Sequence, residues 1–230
     1  MVGVCLIASY FLFPQTWAEA DKAVFFFFND RLVPGSAFLT VVAYTNMRAF
    51  DGVAFLFMGA LYFYFFRQMD NAGKRKMICL GLSMLLIAML IKQCGNIMPI
   101  KHKSPSLVFE NVNRITRIVD IGTKDASSNS FPGDHGMMLM IFAAYIARYF
   151  GRRAFLAAVA IVVVFAMPRI ASGAHWFSDI YMGSLAIVCL TLSWILLTPA
   201  SDKLAGFFER FIPAGFFPVG EKGMFKAKKG

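Results

Sequence analysis

Apolar residues in this chain gather into long runs separated by short polar segments, and several runs approach the length of a membrane crossing. A helical crossing takes about 20 mainly apolar residues, range roughly 17–25, because each residue rises about 1.5 Å. The pattern predicts six spans: Val2–Phe13, Gly52–Phe66, Met77–Met98, Gly136–Phe150, Ala154–Ser172 and Ile180–Thr198. The first is short, which implies either a truncated start or a true start upstream. Others lie near the lower limit, so one or two are expected to break or extend into their flanks. Pro14–Asp51 is mixed, with Asp21-Lys22, a run Phe25–Phe28 and then Asn29-Asp30-Arg31. It predicts one or two interfacial helices with phenylalanines in the headgroup boundary. The expected fold is an all-α polytopic helix bundle, one integral membrane domain over residues 1–230, with 199–230 as a basic cytoplasmic tail.

Composition supports this picture. The chain is 58% hydrophobic and 16% charged with mean hydropathy +0.62, whereas soluble domains sit nearer half apolar. The net charge of +10 does not point to nucleic acid, because Lys and Arg are sorted to particular inter-span segments. Arg67, Lys74, Arg75 and Lys76 join spans two and three; Arg148, Arg152 and Arg153 join four and five. Lys203, Arg210, Lys222, Lys226, Lys228 and Lys229 follow span six. The positive-inside tendency makes that side cytoplasmic, and some of these cations remain to touch anionic lipid. Pro99–Asp134 and Gly173–Asp179 then share the opposite face. Pro99–Asp134 is itself basic; Lys101, Lys103 and Lys124 read as phosphate binders, Arg114 and Arg117 as partners of nearby carboxylates. Cys5, Cys79, Cys94 and Cys189 lie inside apolar runs and read as small buried hydrophobes, not disulfides or ligands. No cleavable signal pattern is visible.

All the candidate chemistry falls in those two opposite-face segments. His175 and Asp179 are four apart, which puts both on one face at the start of a helix. A carboxylate on one ring nitrogen fixes the tautomer and raises the basicity of the other, making His175 a nucleophile toward phosphorus. Alone, His-x3-Asp is a weak signal that better fits a pair capping the sixth span. Arg169, six residues before the histidine, shifts the balance: it is a bidentate phosphate donor near the end of an apolar helix, where an unpaired cation is costly. Pro132 and Gly133 force a turn, Gly133 lets backbone N–H groups approach an anion, and His135 opens the fourth span as a general acid. Asp134 reads as an N-cap. His102 has no partner at a useful spacing and reads as a bystander. Lys92, inside span three, reads equally as a functional cation or as one that snorkels to the interface. Three scattered histidines make no metal site, and no cofactor is expected. Charges clustered at one face argue against a transporter, which needs them near the midplane of several spans.

These motifs resemble those of the type 2 phosphatidic acid phosphatase superfamily, whose members carry Lys-x6-Arg-Pro, Pro-Ser-Gly-His and Ser-Arg-x5-His-x3-Asp. The third motif matches through Arg169, His175 and Asp179, with Pro168 in place of serine. The second matches through Pro132 and His135, with Gly133 and Asp134 replacing Ser-Gly. The first is degenerate, its nearest equivalents being Lys101, Lys103 and Pro105. Wording such as Thr45-Asn46-x-Arg48-Ala49-Phe50-Asp51-Gly52 is similar to one branch, the lipid A phosphotransferases of the bacterial inner membrane. The resemblance implies a periplasmic site, undecaprenyl diphosphate as donor and lipid A 1-phosphate as acceptor. His175 then attacks the terminal phosphorus, His135 protonates the leaving group, and Arg169, Lys103 and Lys124 hold the oxygens. The same residues serve hydrolysis, and motifs do not say whether water or a lipid phosphate meets the phosphohistidine.

Overall fold

The computed structural model describes residues 1–97 and 100–213. Among these the chain is an all-α bundle with no strand, and a single isolated bridge joins Met47 to Thr123. The elements are α1 (Val2–Leu12), α2 (Pro14–Asn29), α3 (Ala37–Thr45), α4 (Arg48–Arg67) and α5 (Asn71–Ile97). After the short turns α6 (Pro105–Val108) and α7 (Ile115–Ile118) come α8 (Asp134–Ala171), a π-helical stretch Asp179–Leu185, α9 (Ala186–Leu197) and α10 (Ala200–Glu209). Four helices, Arg48–Arg67, Asn71–Gln93, Asp134–Ala171 and Asp179–Leu197, are long and apolar enough to cross a membrane. The chain is a multi-pass membrane protein. Apolar α1 is shorter than these four.

The fourth and fifth predicted spans are the two arms of α8. Gly151 breaks the helix between them with φ +83° and ψ −179°, a conformation glycine adopts without a Cβ clash. Leu139, Phe142, Ala143 and Ile146 from the first arm share one core with Ala158, Ile161 and Phe165 from the second, against Ala54 of α4. On the other side of the first arm, Met137, Ile141 and Tyr145 meet Ile87 and Ile91 of α5 and Ile187, Val188 and Leu192 of α9. The first arm is therefore the hub of the bundle. Phe55, Leu56, Phe57 and Phe63 on α4 stay exposed; such an apolar outer surface suits lipid, where burial against protein adds no hydrophobic gain.

Pro14–Asp51 holds two helices, α2 and α3, and then the first turn of α4. Pro14 starts α2, and Ser36 caps α3 by accepting from Leu39 N at 3.1 Å. Phe25 is buried, stacked on Phe109 with ring centroids 5.3 Å apart, so it packs under the loop instead of facing headgroups. Cys79 is buried, but Cys189 is only partly so and Cys5 is exposed on α1, which corrects the expectation of uniform burial. The side chain of Cys94 and the segment Lys222 to Lys229 lie outside the described residues.

Candidate active site

Two connections bring the site together. The first is α8, whose first arm starts with His135 and whose second ends with Arg169. The second is the turn at 172–178, where Ala174 N and His175 N both donate to Arg169 O at 3.1 Å. His175 thus sits in the turn, and Asp179 begins the π-helical stretch, so the pair is set by turn geometry and not by two positions on one α-helix face. A π-helical turn recurs at functional positions because it shifts side-chain register locally.

The long loop is stitched over this turn. Ser104 Oγ donates to Ala174 O at 2.7 Å and accepts from Ser127 N at 2.7 Å, and Ser106 N donates to Gly173 O at 3.3 Å. Buried Asp125 accepts from Thr116 N and Oγ1, both at 2.9 Å, and lies 3.6 Å from Arg114; Arg114 is therefore a pairing residue, as read from the sequence. Buried Asn46 donates to Pro168 O at 2.9 Å, one residue before Arg169, while its carbonyl accepts from Lys124 N at 3.1 Å. One asparagine fixes both the arginine's helix end and the loop that carries Lys124.

A cavity of about 360 Å³ results. Its lining includes His175, His135, Arg169, Lys124, Gly133 and Lys92. Gly133, at φ +83°, is the backbone N-cap of α8, and a Cβ there would come within 2.9 Å of Ile180 Cδ1. Asp134 is therefore not the N-cap. It is the first helical residue and pairs with Lys92 at 3.4 Å, which places Lys92 at the cavity and gives it a partner.

Arg169 is buried and pairs through Nη2 with Asp51, and its Nη1 is buried with no hydrogen-bond partner. A buried, unsatisfied guanidinium nitrogen is costly, and a phosphate oxygen supplies what it lacks. Asp51 also lies 3.6 Å from His135 Nδ1. His175 Nδ1 faces Asp179 Oδ2 at 3.7 Å, just beyond hydrogen-bond range, and has no other partner. Asp179 is wholly buried; Trp176 N donates to its Oδ2 at 3.0 Å. Its Oδ1 lies 3.3 Å from His102 Nδ1.

His102 is thus no bystander. Its ring lies between Asp179 and Tyr10, whose hydroxyl is 3.4 Å from Nε2. The hydrogen bond to Asp179 raises its pKa above the usual 6.5, against the lowering from burial. Asp21 lies on the same side, its carboxylate accepting from Ser178 N at 2.7 Å and Oγ at 2.6 Å. Burial pushes the Asp21 carboxyl up despite those two bonds. Lys101 and Lys103 line a separate cavity beside His102 instead of the one holding His175. Sequence reading gives Asp51 and Asn46 no site role and His102 none beyond a bystander, because their partners lie tens of residues away. Among the described residues no group of three or more His, Cys, Asp or Glu side chains is placed to hold a metal ion.

A family model described as PAP2 superfamily matches residues 99–202, the stretch that supplies every lining residue of the His175 cavity except Asp51 and Lys92. Lipid A 1-diphosphate synthase from Escherichia coli (strain K12) is 46% identical over 217 residues, covering 93% of this chain and 91% of that protein. The chain belongs to the PAP2 superfamily. It is therefore an enzyme, of a superfamily whose members are phosphatases and phosphotransferases. No solved structure matches it. Arg169, His175 and Asp179 lie within the matched stretch, and Pro168, Gly133 and Asp134 each have a visible local role: Pro168 O accepts from Asn46, Gly133 caps α8 and Asp134 pairs with Lys92.

Proposed function

We propose that this PAP2 enzyme moves the terminal phosphate of undecaprenyl diphosphate to lipid A 1-phosphate, giving lipid A 1-diphosphate, from the periplasmic face of the bacterial inner membrane. The observation that carries the chemistry is the buried Arg169 Nη1, unpartnered in a cavity shared with His175, His135 and Lys124. The relationship to lipid A 1-diphosphate synthase supports the substrates.

Asp179 orients His175 through Nδ1, leaving Nε2 as the nucleophile. Nε2 attacks the terminal phosphorus as the bridging P–O bond breaks. His135, held on its Nδ1 side by Asp51, gives a proton to the departing undecaprenyl phosphate. Arg169 and Lys124 offset charge on the equatorial oxygens. An oxygen of the acceptor phosphate then attacks the phosphohistidine, the N–P bond breaks, and His175 is regenerated.

The test uses purified protein in detergent with both lipids and mass spectrometry of each. Lipid A gaining one phosphate as undecaprenyl diphosphate loses one is the expected result. Free phosphate with unchanged lipid A makes the enzyme a lipid phosphatase, acting by the same residues on water.

A further inference from the structure

The second cavity has a volume of about 520 Å³ and is linked to the first through contacts between residues that line each. His102 lines it, the His102 carbonyl accepts from Ser130 N at 2.7 Å, and Ser130 lines the catalytic cavity. Asp179 sits between the two, touching His102 with one oxygen and facing His175 with the other. Two chemically different walls meet in it. Lys22, Lys101 and Lys103 supply cations from α2 and from the loop, and among the described residues none of them has a carboxylate partner. Phe109 and Trp176 supply an aromatic wall, ring centroids 5.8 Å apart, backed by buried Phe25. Trp176 is locked in place by donating from Nε1 to Lys103 O at 2.7 Å, so the wall and one of the cations move together. The sole carboxylate lining it, Asp21, is turned into the wall by its two bonds to Ser178.

Three uncompensated lysines around a cavity in the size range of small-molecule sites, roughly 300–1,000 Å³, select an anion. The aromatic wall adds a sugar face or an acyl stem to that anion. We infer that this cavity is an acceptor subsite that binds a second phosphate monoester, carried by the same glycolipid whose first phosphate enters the catalytic cavity. The inference rests on the transferase reading for the source of its ligand. It also accounts for Lys101 and Lys103: cations of the degenerate first motif, displaced from the reacting phosphate, serve acceptor recognition. Asp179 touches His102, which lines this cavity, and faces His175, which lines the other, so one headgroup carrying two phosphates can present one to each.

The test measures binding of the full chain in detergent micelles to two glycolipids that differ only in the second phosphate. Wild type should bind the bisphosphorylated lipid about tenfold more tightly, the scale of one or two charge-assisted hydrogen bonds. Lys101→Gln with Lys103→Gln should bring that ratio to about one, whereas Lys101→Arg with Lys103→Arg should keep it, separating lost charge from lost fold. A wild-type ratio of one, or a ratio unmoved in the glutamine variant, overturns the subsite. Inorganic phosphate at millimolar concentration should leave the ratio intact; if it erases the preference, the cavity holds free phosphate and not a lipid headgroup. Transfer is scored separately on wild type. A binding ratio without transfer removes the proposed reaction and leaves the subsite; transfer with a ratio of one does the reverse.

Discussion

Asp51 and Asp179 each serve two basic groups, yet Asp51 is 45% exposed at its side chain and Asp179 is not exposed at all. Asp179 holds His102 and faces His175 from a dry, fixed position, with Trp176 N as a third donor. Asp51 holds His135 and Arg169 at the mouth of the cavity, where water and substrate reach it. A buried carboxylate with several donors is a permanent orienting group. A half-exposed one is exchangeable: an incoming phosphate brings its own negative charge to Arg169, and Asp51 must yield part of its hold. In the proposed reaction the same residue type thus positions His175 on one side and holds the place of a phosphate on the other.

The largest expected effect falls on the fixed side. His175→Ala should cut turnover by about 10⁴-fold or more and abolish radiolabel transfer from donor to protein, since no other group takes the nucleophile's place. Asp179→Asn should cost roughly 10³-fold, because the amide cannot hold the imidazole in the productive tautomer. A loss under tenfold with unchanged thermal stability would sink the orienting role.

On the exchangeable side the outcome should split. Asp51→Asn releases Arg169 and loosens His135, so KM for the donor should fall while kcat drops about tenfold. Steady-state kinetics showing KM rising instead would mean that Asp51 helps to hold substrate, and the contrast with Asp179 would fail.

His102→Gln should have the smallest effect on rate, about threefold to tenfold, acting through Asp179. Its signature is in pH. Because the folded-state pKa of His102 lies above 6.5, its contribution to stability is fully present below 6.5 and is lost as pH rises through the folded value. The Tm difference between wild type and the variant should therefore be largest in mild acid and shrink toward alkaline pH. A difference that grows with pH contradicts the assignment.

Much of the bundle was legible because hydrophobic runs have one economical fate in a membrane: a helix that satisfies its own backbone. The span at Gly52–Phe66 corresponds to α4, the span from Met77 falls in α5 as far as Ile97, with Met98 outside the described residues, and Gly151 falls between the two predicted spans that form α8. The expected phosphate-handling set divided. Arg169, His175, His135, Lys124 and Gly133 meet at one cavity, while Lys101 and Lys103 line its neighbour. Nothing in the local pattern of 100–134 could foresee that division, since the loop takes its register from Ser104 Oγ on Ala174 O and Lys124 N on Asn46 O, both partners outside that stretch.

By itself, then, the sequence determined a basic, multi-span helical protein with Arg169, His175 and Asp179 within one short stretch, because near-neighbour spacing and hydrophobic length are local quantities. Only the tertiary structure decided that Asp51, over a hundred residues before Arg169, pairs with it, that His102 shares Asp179 with His175, and that Lys92 closes on Asp134. Those pairings depend on which helix ends meet at one end of the bundle, and helix packing, not any periodicity along the chain, sets that meeting.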